Sequence, residues 1–227
     1  MKNDACVILF TKYPQPGEVK TRIAAESGPE AAADLARAFV EDTLDMLRWV
    51  EDTDVLVCYA PKECGEDMKA WLGEDRQYAA QKGPNLGIRM RNAFRVAYIF
   101  KKYRRVVLLG SDVPHLHDDV VRKGLETLTT RKGTCIAPAE DGGYYLIGFN
   151  EEAFEPRVLE QVDYEDKATV FDQTLSRLRF YDKRETILDS ARDVDTLEDL
   201  RVLYEAGAFK PTSATYKVAK RVLGSGG

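Results

Sequence analysis

Short apolar runs alternate with amphipathic stripes along the chain. Ala5–Thr11 is an unbroken apolar run stopped by Lys-Tyr-Pro, which predicts a buried first strand. Between Pro29 and Trp49, Leu35, Phe39, Leu44 and Leu47 share one stripe, with no Gly or Pro after the first position, so a helix is predicted. Asp54–Ala60 predicts a strand closed by Pro61, and Glu66–Leu72 a short helix stopped at Gly73. Over Leu86–Lys102, Leu86, Met90, Ala93, Phe94 and Ala97 fall at helical spacing, with Arg89, Arg91 and Arg95 elsewhere on the cylinder. Arg105–Leu109 predicts a central strand that runs out into Gly110-Ser111-Asp112. A helix follows over Asp118–Leu128, then strands over Thr134–Ala137 and Tyr144–Phe149 around Glu140-Asp141-Gly142-Gly143. The remainder predicts a helix (Thr169–Leu178), a strand (Glu185–Leu188) and a last helix (Thr196–Glu205).

Strands alternating with helices predict an α/β layer fold with a mainly parallel sheet, and the Gly-Gly turn predicts one antiparallel excursion. No linker interrupts the pattern, so residues 1–223 are expected to form one domain, with 224–227 a flexible Gly/Ser tail. Ligands of such sheets bind at the carboxyl ends of the strands.

Composition narrows the function classes. The chain has 227 residues, 44% hydrophobic and 31% charged, enough for a substantial core. Its net charge of −5 disfavours general nucleic-acid binding, which needs a surplus of phosphate-neutralising cations. No stretch approaches the ~20 apolar residues of a membrane span. Cys6, Cys58, Cys64 and Cys135 have neither CxxC pairing nor histidines at zinc spacing, so a reduced, cytoplasmic protein is expected. The charge is segregated: Arg76–Ser111 contains no acid and nine Lys or Arg, whereas Glu185–Asp199 holds six acids and one Arg.

Five segments offer chemistry. In the loop after the first strand, Pro14, Pro16 and Gly17 stiffen and turn the chain. Lys20 and Arg22 then follow near a helix start, a location that favours phosphate oxygens. The spacing is not that of a Walker A loop, and no GxGxxG occurs; a basic surface loop is the competing reading. In Ser111-Asp112-Val113-Pro114, a carboxylate at the end of a central strand is placed to hold Mg2+ or Mn2+, hard ions that take oxygen ligands; Asp112 could equally cap the next turn. Glu140-Asp141-Gly142-Gly143-Tyr144-Tyr145 combines close backbone approach, a general base or hydroxyl-binding carboxylate, and a stacking face, and is also a hairpin signal. Asp193-Val-Asp195-Thr-Leu-Glu-Asp199 offers a second metal ligand in Asp193 or Asp195, and is also a capped helix start. Gln81–Gly87 precedes a helix, where its backbone donors and Arg89 could meet a nucleotide. Lys101–Arg105 is expected to be a solvated face. His115 and His117 are expected to be exposed loop residues, and with no other histidine no Ser-His-Asp or Cys-His arrangement is supported.

Taken in order, FTKYPQPGEVKTRIA, QKGPNLGIRM, LLGSDVP, APAEDGGYYLIG and DVDTLEDL resemble the DUF2064 group of GT-A-fold, glycosyltransferase-like proteins. That group is similar to the 2-phospholactate guanylyltransferase and molybdenum-cofactor nucleotidyltransferase families. The resemblance spans about residues 5–205. It implies a nucleotide-diphospho-sugar transferase fold, a Rossmann-like three-layer sandwich with a mainly parallel mixed sheet. It also implies that Asp112 and Asp195 hold the metal, that Lys20 and Arg22 contact phosphates, and that the Gly83–Arg89 stretch helps hold the nucleoside. The candidate nucleotide-binding set is then Lys12, Gly17, Lys20, Arg22, Gly83, Asn85, Arg89, Ser111, Gly142 and Gly143, and the candidate catalytic set Lys20, Arg22 and Asp141. Two positions depart from the family pattern: Asn85 stands in place of Asp, and Asp163-Tyr164 in place of a Trp-Ser-like pair.

Three readings follow. A sugar passes from a nucleotide-diphospho-sugar to an acceptor hydroxyl; or a phosphorylated small molecule attacks a nucleoside triphosphate and releases pyrophosphate; or the domain binds nucleotide without catalysis. The glycine-poor first loop favours sugar transfer, because triphosphate loops are usually Gly-rich. The partners expected are a nucleotide-sugar or triphosphate and a small-molecule acceptor, with no nucleic acid and no membrane; a homodimer is compatible with all three.

Overall fold

The long apolar runs become the central strands of one sheet. The computed structural model describes residues 3–224. In chain order these form β1 (Ala5–Lys12), α1 (Thr21–Ser27), α2 (Pro29–Leu47), β2 (Thr53–Ala60), α3 (Gly65–Leu72), β3 (Gln77–Ala80), α4 (Leu86–Arg95) and β4 (Arg105–Gly110). Then come α5 (Asp118–Thr127), β5 (Gly133–Pro138), β6 (Tyr144–Asn150), α6 (Arg157–Glu160), α7 (Val170–Phe180), β7 (Arg184–Ile187), α8 (Leu197–Glu205) and α9 (Ala214–Gly224). The seven strands order as β3-β2-β1-β4-β6-β5-β7. Pairing is parallel except for β6, antiparallel to both β4 and β5, which is the excursion that the Gly-Gly turn predicts.

The period-two alternation of β1 sorts the core into two sides. Cys6 and Ile8 face Met90, Phe94, Val158 and Leu178, so α4, α6 and α7 cover that face. Val7 packs with Val121 and Leu125 of α5, and Leu9 with Val40, Leu44 and Met68 of α2 and α3. The result is the α/β layering expected from the alternation, in the three-layer form that the family resemblance implies. A third cluster joins α1, α2, α8 and α9 around Ile23, Leu35, Phe39, Leu200 and Ala219.

Four elements go beyond the periodicity. The strand β3 is a four-residue edge with no β-branched residue, and α6 is a single turn. The helix α1 directly follows Lys20. The helix α9 is anchored from a distance, because the Asp42 carboxylate of α2 accepts the N–H groups of Ala214 (2.8 Å) and Thr215 (2.7 Å). Gly224 ends α9 rather than starting a tail, and 225–227 lie outside the described residues. The helix expected through Lys102 is regular only to Arg95 and closes in a π turn over Val96–Phe100. All four cysteines are free, and burial pushes the thiols of Cys6, Cys58 and Cys135 up to about 12. No helix among the described residues is long and apolar enough to cross a membrane.

The strand order positions the site. The chain moves outward from β1 through β2 to β3, then returns to the other side of β1 as β4. That reversal opens a crevice between the carboxyl ends of β1 and β4, the usual ligand position in open parallel sheets. Only a glycine lets α4 approach α6 below this crevice: a Cβ on Gly87 would lie 2.2 Å from the Leu159 carbonyl oxygen. Alanine gains about 1 kcal/mol of helix propensity over glycine. Overpacking against backbone costs about 1–3 kcal/mol. Gly87→Ala is therefore expected to lower stability by about 1 kcal/mol in urea unfolding, although a lone helix would gain from it.

Candidate active site

The crevice is a two-lobed cleft. Its first lobe, about 460 Å3, is lined by the cations Lys12, Lys20, Arg22 and Arg89, with Gln81 and Ser111. Its second lobe, about 270 Å3, is walled by Met90, Leu108, Val113, Tyr144, Tyr164 and Val170. Asp112 and Lys167 border both lobes, Asp195 borders the first, and Asp141 and Asp193 border the second.

Lys20 is the fixed point. It adopts a left-handed backbone conformation (φ 45°, ψ 49°) immediately before α1, which turns its side chain inward until 9% of it is exposed. Its Nζ lies 2.5 Å from Asp112 Oδ1 and 3.2 Å from Asp195 Oδ1, and donates to the Val194 carbonyl at 2.8 Å. Burial opposes the charge, but Asp112 and Asp195 outweigh it and raise the Lys20 pKa. The Val194 N–H donates to the Asp112 carbonyl (2.8 Å), so the loops after β4 and β7 are also joined directly.

A second ammonium lies beside the first. Lys167 Nζ is 2.6 Å from both Asp141 Oδ2 and Asp195 Oδ2, and 3.8 Å from Asp193 Oδ2. Half of its side chain is exposed. Burial would raise the Asp195 pKa, but Lys20 and Lys167 hold it down to about 2. Asp193 moves the opposite way, to about 6, because burial and the charges of Asp141 and Asp195 disfavour its ionised form. Burial also works against the Asp141 charge, and its bonds from Lys167 and the Gly143 N–H (3.0 Å) bring its pKa down.

The residues singled out in the sequence divide by what they touch. Lys12, Arg22 and Arg89 reach the first lobe, and among the described residues neither Lys12 nor Arg22 forms an ion pair. Arg89 Nε donates to the Gly83 carbonyl (2.9 Å). Gly83, at φ 142°, lies against the start of α4, and Asn85 caps that helix by accepting the Ile88 N–H at 2.9 Å. Gly17 turns its loop at φ 84° and lines neither lobe. Ser111 stands 3.4 Å from the Thr11 hydroxyl across the β1–β4 junction. Gly142, at φ 94°, lets the turn close on the segment carrying Lys167, since a Cβ there would lie 2.7 Å from Ala168 backbone. Glu140 is drawn away to Arg192 (2.9 Å), leaving Asp141 as the carboxylate of this turn in the cleft. The DVDTLEDL segment serves both purposes weighed for it: Thr196 and Asp199 form a capping box, while Asp193 and Asp195 project into the cleft.

Lys167 escapes a sequence reading, because it is a lone lysine between Asp166 and Ala168 with no motif around it. Tyr164 carried a signal, the aromatic in an unfamiliar pair, but not its meaning as a wall of the second lobe. Three carboxylates, Asp141, Asp193 and Asp195, bring one oxygen each within 4.8 Å of one another. Lys20 occupies Oδ1 of both Asp112 and Asp195; Asp112 Oδ2 is left open, and Asp195 Oδ2 is held by the half-exposed Lys167. Four carboxylates (Asp112, Asp141, Asp193, Asp195) face two ammonium groups (Lys20, Lys167), an excess of two negative charges. An all-oxygen donor set with that deficit fits a hard divalent cation.

A family model described as "Uncharacterized protein conserved in bacteria (DUF2064)" matches residues 43–166. The crystal structure of a protein from Desulfovibrio desulfuricans G20, provisionally named a nucleotide-diphospho-sugar transferase, is 38% identical, with 96% of this chain and 95% of that one covered and a TM-score of 0.90. A CMP-2-keto-3-deoxy-manno-octonic acid synthetase complexed with CTP is 10% identical over 89% of this chain and 99% of its own, at a TM-score of 0.54. A 4-diphosphocytidyl-2C-methyl-D-erythritol synthase from Anaerococcus prevotii DSM 20548 is 13% identical over 87% and 95%, at 0.53. These last two share the fold. No curated protein matches the chain.

The Asp193 shift sets a sign for stability. Its pKa rises from 3.8 to about 6 on folding, so the group stabilises the protein when protonated and loses that contribution as pH rises through 6. Asp193→Asn is expected to raise the melting temperature of cation-free protein at pH 7.5, with the gain fading below about pH 4, where the carboxyl is protonated folded and unfolded alike. Thermal unfolding in EDTA at the two pH values checks this.

Proposed function

The chain belongs to the DUF2064 family of bacterial proteins, and on that footing we propose that it is a divalent-cation-dependent transferase that moves a sugar from a nucleoside diphosphate to an acceptor hydroxyl. The observation that carries this reading is the pairing of unneutralised cations with excess carboxylates in one cleft. Lys12 and Arg22, without ion pairs among the described residues, suit the donor's diphosphate. The Desulfovibrio protein of the same architecture, named for nucleotide-diphospho-sugar transfer, supports the same donor class.

Mg2+ or Mn2+ would be held by Asp112 and Asp195 through the oxygens that Lys20 leaves open, with Asp193 beside them. When bound, such an ion supplies Lewis-acid stabilisation of the departing diphosphate. Lys20 keeps the two aspartates in register and is too enclosed to leave; Lys167, half exposed, is the ammonium that yields. Released from Asp195, it is within the cleft to meet a phosphate oxygen. The acceptor hydroxyl oxygen bonds to the anomeric carbon, and the bond from that carbon to the phosphate oxygen breaks with its electron pair on the nucleoside diphosphate. The hydroxyl proton passes to Asp141, which borders the second lobe and is oriented by the Gly143 N–H.

Thermal-shift titration with UDP- and GDP-sugars and with nucleoside triphosphates, each with and without Mn2+, tests the reading. A nucleotide-sugar is expected to stabilise the protein only with Mn2+, by about 2.7 kcal/mol at 100 times its Kd, and to lose that effect in Asp195→Asn and Arg22→Ala. Stabilisation by triphosphates alone would favour nucleotidyl transfer, and no response to any nucleotide would defeat both.

A further inference from the structure

The two lobes differ in charge as well as in shape. Every cation of the cleft except Lys167 lines the first lobe alone. The second is bordered by Asp112, Asp141 and Asp193, and its one ammonium, Lys167, is held by Asp141 and by Asp195 of the first lobe. Apart from Ser111, its remaining side chains are apolar or aromatic. Tyr144 and Tyr164 join hydroxyl to hydroxyl at 3.0 Å, and burial raises both pKa values, Tyr144 to about 12, so the pair is a neutral donor–acceptor couple at any physiological pH. Tyr145 also borders the lobe, but its hydroxyl is committed to the Asp189 carbonyl at 2.7 Å.

Resting on the transferase reading above, we propose that the second lobe is the acceptor subsite and that it takes an uncharged alcohol on an apolar ring or chain, not a phosphorylated or carboxylated molecule. A phosphate in this lobe would face three carboxylates, and the lobe's one ammonium, Lys167, is shared by Asp141 and Asp195 and, once released from Asp195, turns to the donor's diphosphate. Like charges at close range in a partly desolvated site cost far more than a hydroxyl recovers in hydrogen bonds. A neutral alcohol meets none of that repulsion. Its hydroxyl can approach Asp141, its other oxygens can exchange hydrogen bonds with the Tyr144–Tyr164 pair, and its ring or chain covers Met90, Val113 and Val170. The charge pattern therefore separates the two transferase chemistries. Sugar transfer brings a neutral nucleophile to this lobe, whereas nucleotidyl transfer to a phosphorylated acceptor brings an anion.

A matched pair of probes with one aryl body tests this: phenyl β-D-glucoside and phenyl phosphate, each titrated by ligand-observed NMR into the full chain, with and without UDP and Mn2+. The glucoside is expected to bind in both conditions, and phenyl phosphate, once UDP and Mn2+ fill the cationic first lobe, about tenfold more weakly or not at all. Tyr164→Phe, which keeps the ring, should weaken the glucoside several-fold without altering UDP binding. Asp141→Asn, at an exposed turn, should narrow the gap between the probes. Equal or tighter binding of phenyl phosphate to the UDP-loaded protein overturns the proposal, as does a Tyr164→Phe variant that binds the glucoside unchanged. Displacement of the glucoside by UDP also overturns it, because the lobe would then belong to the nucleoside. Glucoside binding with no UDP binding defeats the transferase reading instead, while leaving the ligand class of the lobe supported.

Discussion

One buried ammonium holds the site together. Lys20 comes from the loop after β1, Asp112 from the loop after β4, and Val194 and Asp195 from the loop after β7, and all three loops meet at a single Nζ. A side chain with 9% exposure in that position has little freedom, so the carboxylates it bridges have little either. Removing the amine would leave two carboxylates facing each other in a partly enclosed space, the arrangement that costs most when one partner of a buried pair is lost. The fold supplies the convergence: parallel strands that end on one edge send their loops to one place.

The same geometry sets up an asymmetry between the two lysines. Lys20 is enclosed and also tied to a backbone carbonyl; Lys167 is half exposed and bound only by side chains. Around Lys20 and Lys167 four carboxylates outnumber the two ammonium groups, a local deficit of positive charge. The upward shift of Asp193 and the downward shift of Asp195 are two responses to that deficit, one carboxylate favouring its proton and the other taking both lysines. Segregation along the sequence prepares this. The acid-rich segment after β7 brings Asp193 and Asp195, and the acid-free stretch contributes Arg89 to the first lobe. Other arginines of that stretch pair elsewhere, Arg91 with Glu160 at 2.5 Å and Arg105 with Asp4 at 2.6 Å. The Lys101–Arg105 run leads into the amino end of β4, at the opposite end of the strands from the cleft, and lines neither lobe.

Much of the fold was legible because strands such as Ala5–Lys12 and Arg105–Gly110 are buried on both faces and leave an unmistakable apolar run. The edge strand β3 and the single-turn α6 lack that signature, because neighbours rather than intrinsic preference determine them. In the site, glycines and aspartates at strand ends advertise themselves. Lys167 does not, since its meaning comes only from a turn that Gly142 allows to close against it. Asn85 shows the converse: a residue in a conspicuous motif whose side chain is spent on capping α4. Asp193-Val-Asp195-Thr carried two meanings at once, and helix capping and a cleft carboxylate proved to be compatible uses of adjacent residues.

In the proposed mechanism Lys20 stays fixed in the cleft and a divalent cation takes the place of Lys167. Isothermal titration of Mn2+ into nucleotide-free wild-type protein and Lys167→Ala tests it most directly. One site per chain is expected, bound more tightly in Lys167→Ala because the competing ammonium is gone, and lost in Asp195→Asn. Equal Mn2+ affinity with and without the Lys167 ammonium, or undiminished binding in Asp195→Asn, would contradict it.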